Sequence, residues 1–251
     1  MNYYEHFCTE HLFMLAAIIL VLVTVGVNIR KASDRSVTIL LRVLACILLV
    51  CEAVQEYVLV LEGGHLIDFL PLQLCNLGIF VNLLASFAKG KVQGFFSEIS
   101  VVLIMPGAVG AILFPDWNYR PFWNWLGLMC FFTHMVLVLF PIICLRTGRA
   151  TVSFRHFWYP YLFLVPLVPP LLWFDNKYHE NYLFLRFPVE GSPLELTYNI
   201  AGKKYYVPGL VVMVTVILLI EYLLYSLPGF FRKKFLGGNQ LSPPARKNPG
   251  R

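Results

Sequence analysis

Two glutamates and two amide side chains lie in stretches of this chain that are otherwise strongly apolar. Glu52 and Glu56 are four residues apart, a spacing that places two side chains on one face of an α-helix. Gln55 lies beside them, and Asn76 belongs to the next apolar stretch. Two carboxylates this close in apolar surroundings do not both ionise readily, and such a pair suits general acid–base chemistry. We therefore expect a functional site around these residues.

A thiol and an imidazole extend this set of reactive groups. Cys75 directly precedes Asn76, and His134 lies in a later apolar stretch. A cysteine with a histidine base would be a nucleophile. At about 1.5 Å per helical residue, however, the two side chains differ by about 10 Å in depth, whereas a hydrogen bond spans about 3 Å. The sequence leaves open whether His134 is a functional residue or a core histidine bonded to a neighbouring helix.

Further amides are candidates for binding a substrate next to the carboxylates. Gln73 and Asn76 fall within about 10 Å of one membrane surface, and Asn82 lies deeper, level with His134. Together with Gln55 they would line a cavity that opens to the outer leaflet. The histidines share no ligand spacing, so the sequence predicts no metal site and no cofactor.

The composition identifies a membrane protein. Of 251 residues, 58% are hydrophobic and 14% are charged, whereas a soluble domain carries about 25% charged residues. The net charge of +6 lies in short loops and the C-terminal tail, which is typical of topogenic charge rather than of nucleic-acid binding. Five of the six cysteines fall in apolar runs and predict no disulfide framework. The expected partners are therefore membrane lipids.

The elements that must position these residues are seven predicted membrane-spanning helices. A helix needs about 20 apolar residues to cross a bilayer. The predicted spans are Leu12–Val27, Ser36–Leu61, Leu70–Ala88, Phe96–Phe114, Pro121–Leu145, Phe157–Phe174 and Tyr206–Phe230. Basic residues follow the first, third, fifth and seventh spans, and positive loops stay cytoplasmic. We predict an all-α polytopic protein with the N-terminus outside and the C-terminus in the cytoplasm.

Smaller features predict how this domain is arranged. Residues 1–236 form one transmembrane domain, and the tail 237–251 has the composition of a disordered basic segment. Pro106-Gly107 predicts a kinked fourth span that packs closely on a neighbour. Four prolines in the sixth span predict a broken helix. The long connection 175–205 is rich in aromatic residues, and we expect it to fold over the outer mouth as a lid.

An ordered set of motifs resembles a known family. Leu70-Pro71-Leu72-Gln73-Leu74-Cys75-Asn76 resembles the Leu-Pro-Leu-His-Leu-Cys signature of the bacterial YwaF-type integral membrane proteins. The further matches, in the same order, are Pro106-Gly107 to Pro115, Phe131-Phe132-Thr133-His134 with Pro141, Asn181-Tyr182-Leu183-Phe184-Leu185 with Pro188, and Ser192-Pro193-Leu194. Together they extend from the second span to the seventh.

The resemblance implies a chemistry. An animal relative of that family is described as a cysteine-centred acyltransferase that moves an acyl chain between phospholipids to make ether phospholipids. For this chain it implies acyl transfer at the membrane, with Cys75 as nucleophile and His134 as base, and with Asn181 and Tyr182 as residues near the substrate. Two positions depart from the pattern. Gln73 replaces the histidine of the signature, and the place that matches the animal protein's cysteine is Leu72.

Three functions are consistent with the sequence. The first is an integral membrane enzyme that acts on lipid by acyl transfer at an outward-facing cavity, with Glu52, Glu56, Cys75 and His134 as catalytic candidates. The second is a transporter or binding protein for a small solute that uses the intramembrane carboxylates. The third is a structural or assembly factor of the membrane. The resemblance to bacterial proteins predicts a multi-pass protein of the bacterial cell membrane.

Overall fold

The computed structural model describes residues 3–65, 67 and 70–235, and the predicted disordered tail 237–251 lies outside the described residues. The described chain is helical and contains no strand, which confirms the all-α prediction. Its α-helices are α1 (Thr9–Asn28), α2 (Asp34–Leu61), α3 (Leu74–Phe87), α4 (Gly90–Ile99), α5 (Met105–Leu113), α6 (Trp125–Arg146), α7 (Tyr159–Leu164), α8 (Val168–Tyr178) and α9 (Pro193–Phe235).

Six helical segments of the described residues are long and apolar enough to cross a membrane. They are Thr9–Lys31, Asp34–Leu61, Gly90–Leu113, Trp125–Arg146, Phe154–Tyr178 and Pro193–Ser226. The third predicted span differs, because its helix begins at Leu74 instead of Leu70 and has 14 residues, a length of about 21 Å. Residues 70–73 are not helical. The protein is therefore a multi-pass membrane protein in which one apolar helix is short.

Helix α6 forms the centre of the bundle, packed against α1, α2 and α5. Its side chains Phe131 and Leu137 belong to a core that also contains Leu48 of α2 and Ile79 of α3, all nearly inaccessible to solvent. These side chains are buried between helices, away from lipid. Their close packing stabilises the association of the helices.

Helices α2 and α3 are antiparallel neighbours. Near the beginning of α2, the Nε of Arg42 donates a hydrogen bond to the carbonyl oxygen of Ser86 at 3.4 Å. Ten residues further along α2, Glu52 accepts a hydrogen bond from Asn76, which is ten residues earlier in α3. The two contacts fix one register along both helices. This register places Cys75 and Asn76 at the level of the α2 carboxylates.

Two glycines allow α3 to approach the helix that contains α4 and α5. A Cβ atom on Gly78 would lie 2.5 Å from the Cγ2 atom of Ile104, and one on Gly107 would lie 2.9 Å from the Cδ2 atom of Leu74. Ser100–Ile104 form a π-helical turn directly before Pro106, which lacks the N–H needed to continue the regular ladder. The predicted close packing of this segment is confirmed.

The sixth span is interrupted. Helix α7 ends at Leu164 and α8 begins at Val168, with Pro166 in the turn between them and two prolines in the first turn of α8. This confirms the predicted broken helix. The connection to α9 is shorter than predicted, since α9 begins at Pro193 and changes direction at Gly202, which has a φ of +69°.

The two ends of the bundle differ in their charged residues. We call one end the basic side, where the side chain of Arg146 reaches the carbonyl oxygen of Gly26 and Arg149 pairs with Asp34. The basic side carries Arg30, Lys31, Arg35, Lys89, Lys91, Arg146, Arg149 and Arg155. We call the other end the loop side. It holds residues 114–124 and 179–192, and the ion pair between Arg120 and Glu62, whose N–O distance is 2.5 Å.

Candidate functional site

Glu52 and Glu56 form a carboxyl pair between α2 and α3. The Nδ2 of Asn76 donates a hydrogen bond to the Oε1 of Glu52. Glu56 lies one turn further along the same face of α2, close enough for the two carboxyl groups to interact. Two carboxyl groups this close in apolar surroundings do not both ionise readily. The Oε2 of Glu56 is buried without a hydrogen-bond partner among the described residues, so the pair has one oxygen that could still bind another group.

Two thiols lie near this pair. Cys75, one residue before Asn76, lies in the same region as Glu52, Asp116 and Cys130. The Sγ of Cys130 donates to the Oε1 of Gln55 at 3.8 Å, so α6 contributes to the same region. The structure thus places Glu52, Glu56, Gln55, Cys75 and Asn76 in one region, and their roles stay predictions.

His134 lies one turn from Cys130 on α6. Its Nδ1 is 2.7 Å from the carbonyl oxygen of Cys130, and because a carbonyl oxygen only accepts, Nδ1 carries the proton and Nε2 is the acceptor of the neutral ring. The ring stacks on Trp117, with 5.0 Å between centroids. The hydrogen bonds of the described residues do not include one between His134 and Cys75. His134 is therefore held in a fixed orientation by its own helix and by Trp117.

Gln73, Asn181 and Tyr182 connect α3 to the segment 179–192. The amide group of Gln73 donates to the carbonyl oxygen of Asn181 at 3.2 Å and accepts from the N–H of Leu183 at 2.9 Å. The hydroxyl of Tyr182 donates to the carbonyl oxygen of Ile67 at 2.6 Å and accepts from the N–H of Leu70 at 3.0 Å. These bonds satisfy backbone groups in the irregular chain before α3, where a membrane offers no water to do so.

An open cleft of about 600 Å³ lies on the loop side above these residues. Its lining includes Gln73 and Asn181 together with Asp116 and the acidic side chains of Glu5 and Glu190. Asp116 is exposed to the cleft, and partial desolvation by the protein around it raises the pKa of its carboxyl group. Burial also raises the pKa of Tyr182, to about 12.

Asn82 lies apart from the other candidates. Its side chain is fully buried, and its Oδ1 accepts a hydrogen bond from Ser100 at 2.7 Å. Ser100 begins the π-helical turn, so Asn82 connects α3 to that turn, while its Nδ2 has no partner among the described residues. It is two turns along α3 from Asn76, in the direction of the basic side.

Sequence reasoning missed Asp116 and Trp117. Both lie in the irregular chain between α5 and α6, where no periodic pattern indicates which side chains turn toward the core. Trp117 is 7% exposed and its indole Nε1 has no partner among the described residues. An aspartate followed by a buried tryptophan carries no signal that distinguishes it from an ordinary loop.

A second polar cluster, on the basic side, was also missed. The buried carboxylate of Glu98 accepts from the Nδ1 of His156 at 2.6 Å, from the N–H of Ser153 at 3.2 Å and from the hydroxyl of Tyr222 at 3.2 Å. From sequence, Glu98 is an N-terminal residue of a helix, where a carboxylate is common. The structure shows that it joins α4, the 154–156 turn and α9.

The described residues contain no group of three or more histidine, cysteine, aspartate or glutamate side chains that could hold a metal ion. A family model described as the TMEM164 family matches residues 6–225, which include every site residue that the sequence predicts. The chain belongs to the TMEM164 family. Membership in this membrane protein family agrees with the six long apolar segments. No curated protein matches the chain, and no solved structure matches it. The resemblance to YwaF-type proteins and to an acyltransferase stays a prediction.

Proposed function

We propose that this protein is an integral membrane enzyme that transfers an acyl group between lipids at the site formed by α2, α3 and α6. The observation that supports the proposal best is the hydrogen bond from Asn76 to Glu52, because Asn76 directly follows Cys75 and Glu56 lies one turn from Glu52. A carboxyl group inside a bilayer is energetically unfavourable, so such a residue usually marks a functional site. A thiol beside a proton-exchanging pair suits acyl transfer.

In the proposed reaction, the thiol of Cys75 attacks the ester carbonyl of a donor lipid. The ester C–O bond breaks, a thioester forms on Cys75, and the thiol proton passes through the carboxyl pair to the departing lysolipid. The hydroxyl of an acceptor lipid then attacks the thioester, and its proton returns to the sulfur. Gln73 cannot act as a base, and both ends of its amide group already bind the 181–183 segment. The carboxyl pair is therefore the proposed base in this chain.

His134 has a supporting part in this proposal. Its acceptor nitrogen Nε2 is available because Nδ1 is bound to Cys130, so it can hold a hydroxyl group of the acceptor lipid. Asp116 and the cleft would receive the headgroup from the loop side. Segment 179–192 would cover this opening as the predicted lid, held by Gln73 and Tyr182.

The orientation in the membrane is also a proposal. The eight arginines and lysines of the basic side favour the cytoplasm. This puts the N-terminus and the loop side outside, and the end of α9 inside. The site would then open to the outer leaflet of a cell membrane, which for a bacterial protein is the periplasmic or external leaflet.

The test is lipid analysis of cells that carry the wild type, Cys75→Ala, Glu52→Gln or His134→Ala at matched expression. We expect one lipid species to rise with the wild type, to disappear with Cys75→Ala, and to fall by about 10²-fold or more with Glu52→Gln. Cys8→Ala is the matched control, because Cys8 directly precedes α1 and is not part of the proposed site. An unchanged lipid profile, with all variants folded, would contradict the proposal.

A small-solute carrier is the second candidate, favoured by the interrupted helix α7–α8 and by Glu221. The carboxyl group of Glu221 lies in α9 and has an oxygen without a partner among the described residues. Discontinuous helices and carboxylates at two depths are typical of transporters. Uptake of a solute into proteoliposomes that is lost in Glu52→Gln, but retained in Cys75→Ala, would favour this function. Loss of stability alone in both variants would favour an assembly factor.

A further inference from the structure

An apolar groove of about 380 Å³ runs along the outer surface of α2. It is lined by Val43, Cys46, Ile47 and Val50, all of them exposed, and by Cys51 and Phe87. These side chains lie on the membrane-facing surface of a predicted span, so the groove is open to lipid. Its shape and lining suit a hydrocarbon chain.

One end of the groove is closed by Arg42. The Nε of Arg42 binds the carbonyl oxygen of Ser86, and its guanidinium carbon lies 5.1 Å from the centroid of the Phe87 ring. These two contacts hold the guanidinium group beside the groove. The ion pairs of the described residues do not include Arg42. Its remaining donors can therefore serve an anion that reaches the end of the groove.

Three more cations lie on the same side of the bundle as Arg42. Arg35 lies seven residues before Arg42 and so on the same face of α2, and Lys89 and Lys91 directly follow the end of α3. Because α2 and α3 are antiparallel, all of them lie on the basic side, and all are exposed. The three are likewise outside the ion pairs of the described residues.

We propose that this groove is a binding site for an anionic phospholipid of the leaflet on the basic side. One acyl chain lies against Val43, Cys46 and Val50, and the phosphate group contacts Arg42. Arg35, Lys89 and Lys91 attract the negative headgroup, as basic pockets beside transmembrane helices do. A second protein copy or a soluble partner fits less well, because the apolar part faces the membrane core and only its end is charged.

The site is separate from the proposed acyl-transfer site. Arg42 and Glu52 are ten residues apart on α2, about 15 Å along the helix axis. The groove ends at Cys51, one residue before Glu52. A lipid bound here would support the surface of α2 that lies behind the carboxyl pair. The inference holds whether or not the protein is an acyltransferase.

The experiment is native mass spectrometry of the purified protein with added phosphatidylglycerol or phosphatidylcholine of the same acyl chains. We expect phosphatidylglycerol to bind more tightly, and Arg42→Gln to weaken its binding about fivefold. Cys46→Trp fills the groove without changing the charge, and we expect it to weaken binding of phosphatidylglycerol as well. Lys177→Gln is the matched control, because Lys177 is an exposed cation near the loop side.

Four results would overturn the inference. Equal binding of the two lipids would remove the role of the headgroup charge. Wild-type affinity in both Arg42→Gln and Cys46→Trp would show that the lipid does not bind in the groove. An equal loss in Lys177→Gln would show that the lipid is attracted to basic residues anywhere on the surface. A change of oligomeric mass in Cys46→Trp with unchanged lipid binding would assign the groove to a second copy. Cys46 is exposed, so Cys46→Trp keeps the test valid if Arg42→Gln fails to fold.

Discussion

Asn76 on α3 donates a hydrogen bond to the carboxyl group of Glu52 on α2, and this bond joins the two helices directly beside Cys75. Removing the donor leaves a carboxyl group without its partner in surroundings that offer little water. We expect Asn76→Leu to lower the free energy of unfolding by about 1–3 kcal/mol. Thermal unfolding in detergent measures the loss.

Asn76→Asp provides a sharper form of this test. It places a third carboxyl group against Glu52 and is expected to destabilise the protein more than Asn76→Leu. The double variant Glu52→Gln with Asn76→Asp restores one amide donor and one carboxyl acceptor in exchanged positions. We expect it to recover part of the lost stability. If the double variant is less stable than Asn76→Asp alone, the two side chains do not form the pair described here.

Gln73 and Tyr182 hold the 179–192 segment against the start of α3. Gln73→Ala removes two hydrogen bonds to this segment, and Tyr182→Phe removes two bonds to residues 67 and 70. We expect faster amide hydrogen exchange at residues 181–187 in both variants, because the local opening free energy falls by about 1 kcal/mol for each bond lost. Exchange in α6 serves as the internal control and should stay unchanged.

The raised pKa of Asp116 implies that the stability of the protein depends on pH. The folded protein raises the pKa of this carboxyl group, so the folded state binds a proton more readily than the unfolded state does. The favourable contribution is complete below the ordinary aspartate pKa of about 3.9 and is lost as the pH rises through the folded-state value. Asp116→Asn should therefore flatten this part of the stability profile and be the more stable form at neutral pH. A wild-type profile that rises over this range relative to Asp116→Asn would contradict the prediction.

Gly78 is the point where α3 comes closest to the π-helical turn. Gly78→Ala places a Cβ atom 2.5 Å from the Cγ2 atom of Ile104, and we expect a loss of about 1–3 kcal/mol of stability from overpacking. Gly110→Ala is the control, because a Cβ atom there meets nothing within 4 Å. Ile104→Ala in the Gly78→Ala background should recover part of the loss, and additive losses would show that the two residues are not in contact.

Glu98 supports the basic side through its bonds to His156, Ser153 and Tyr222. We expect Glu98→Ala to lower the stability by about 3 kcal/mol, because three donors lose a buried acceptor. Tyr222→Phe removes one donor and should cost about 1 kcal/mol. Glu221→Gln is the control, since one oxygen of Glu221 is buried without a partner among the described residues. A larger effect of Glu221→Gln than of Glu98→Ala in thermal unfolding would contradict this order.

The sequence by itself determined the membrane class, the all-helical fold, the broken sixth span and the polar stretch from Glu52 to Asn76. These follow from hydropathy, proline positions and helical spacing, which are local properties of the chain. Hydropathy could not determine where the helix of the third span begins. Leu70, Pro71 and Leu72 are as apolar as the helix that follows them, and hydrogen bonds of Leu70 with Tyr182 and of Gln73 with Asn181 stabilise the non-helical course of residues 70–73.

Only the tertiary structure decided which polar groups meet. Asn76 reaches Glu52 because the antiparallel register of α2 and α3 puts them at one level, and Asn82 turns instead to Ser100. Asp116 joins the site from an irregular segment, and Glu98 finds His156 fifty-eight residues later. A hydrogen bond between distant residues depends on how helices are rotated and shifted against one another. That arrangement results from packing over the whole bundle, so it cannot be predicted from a local pattern of residues.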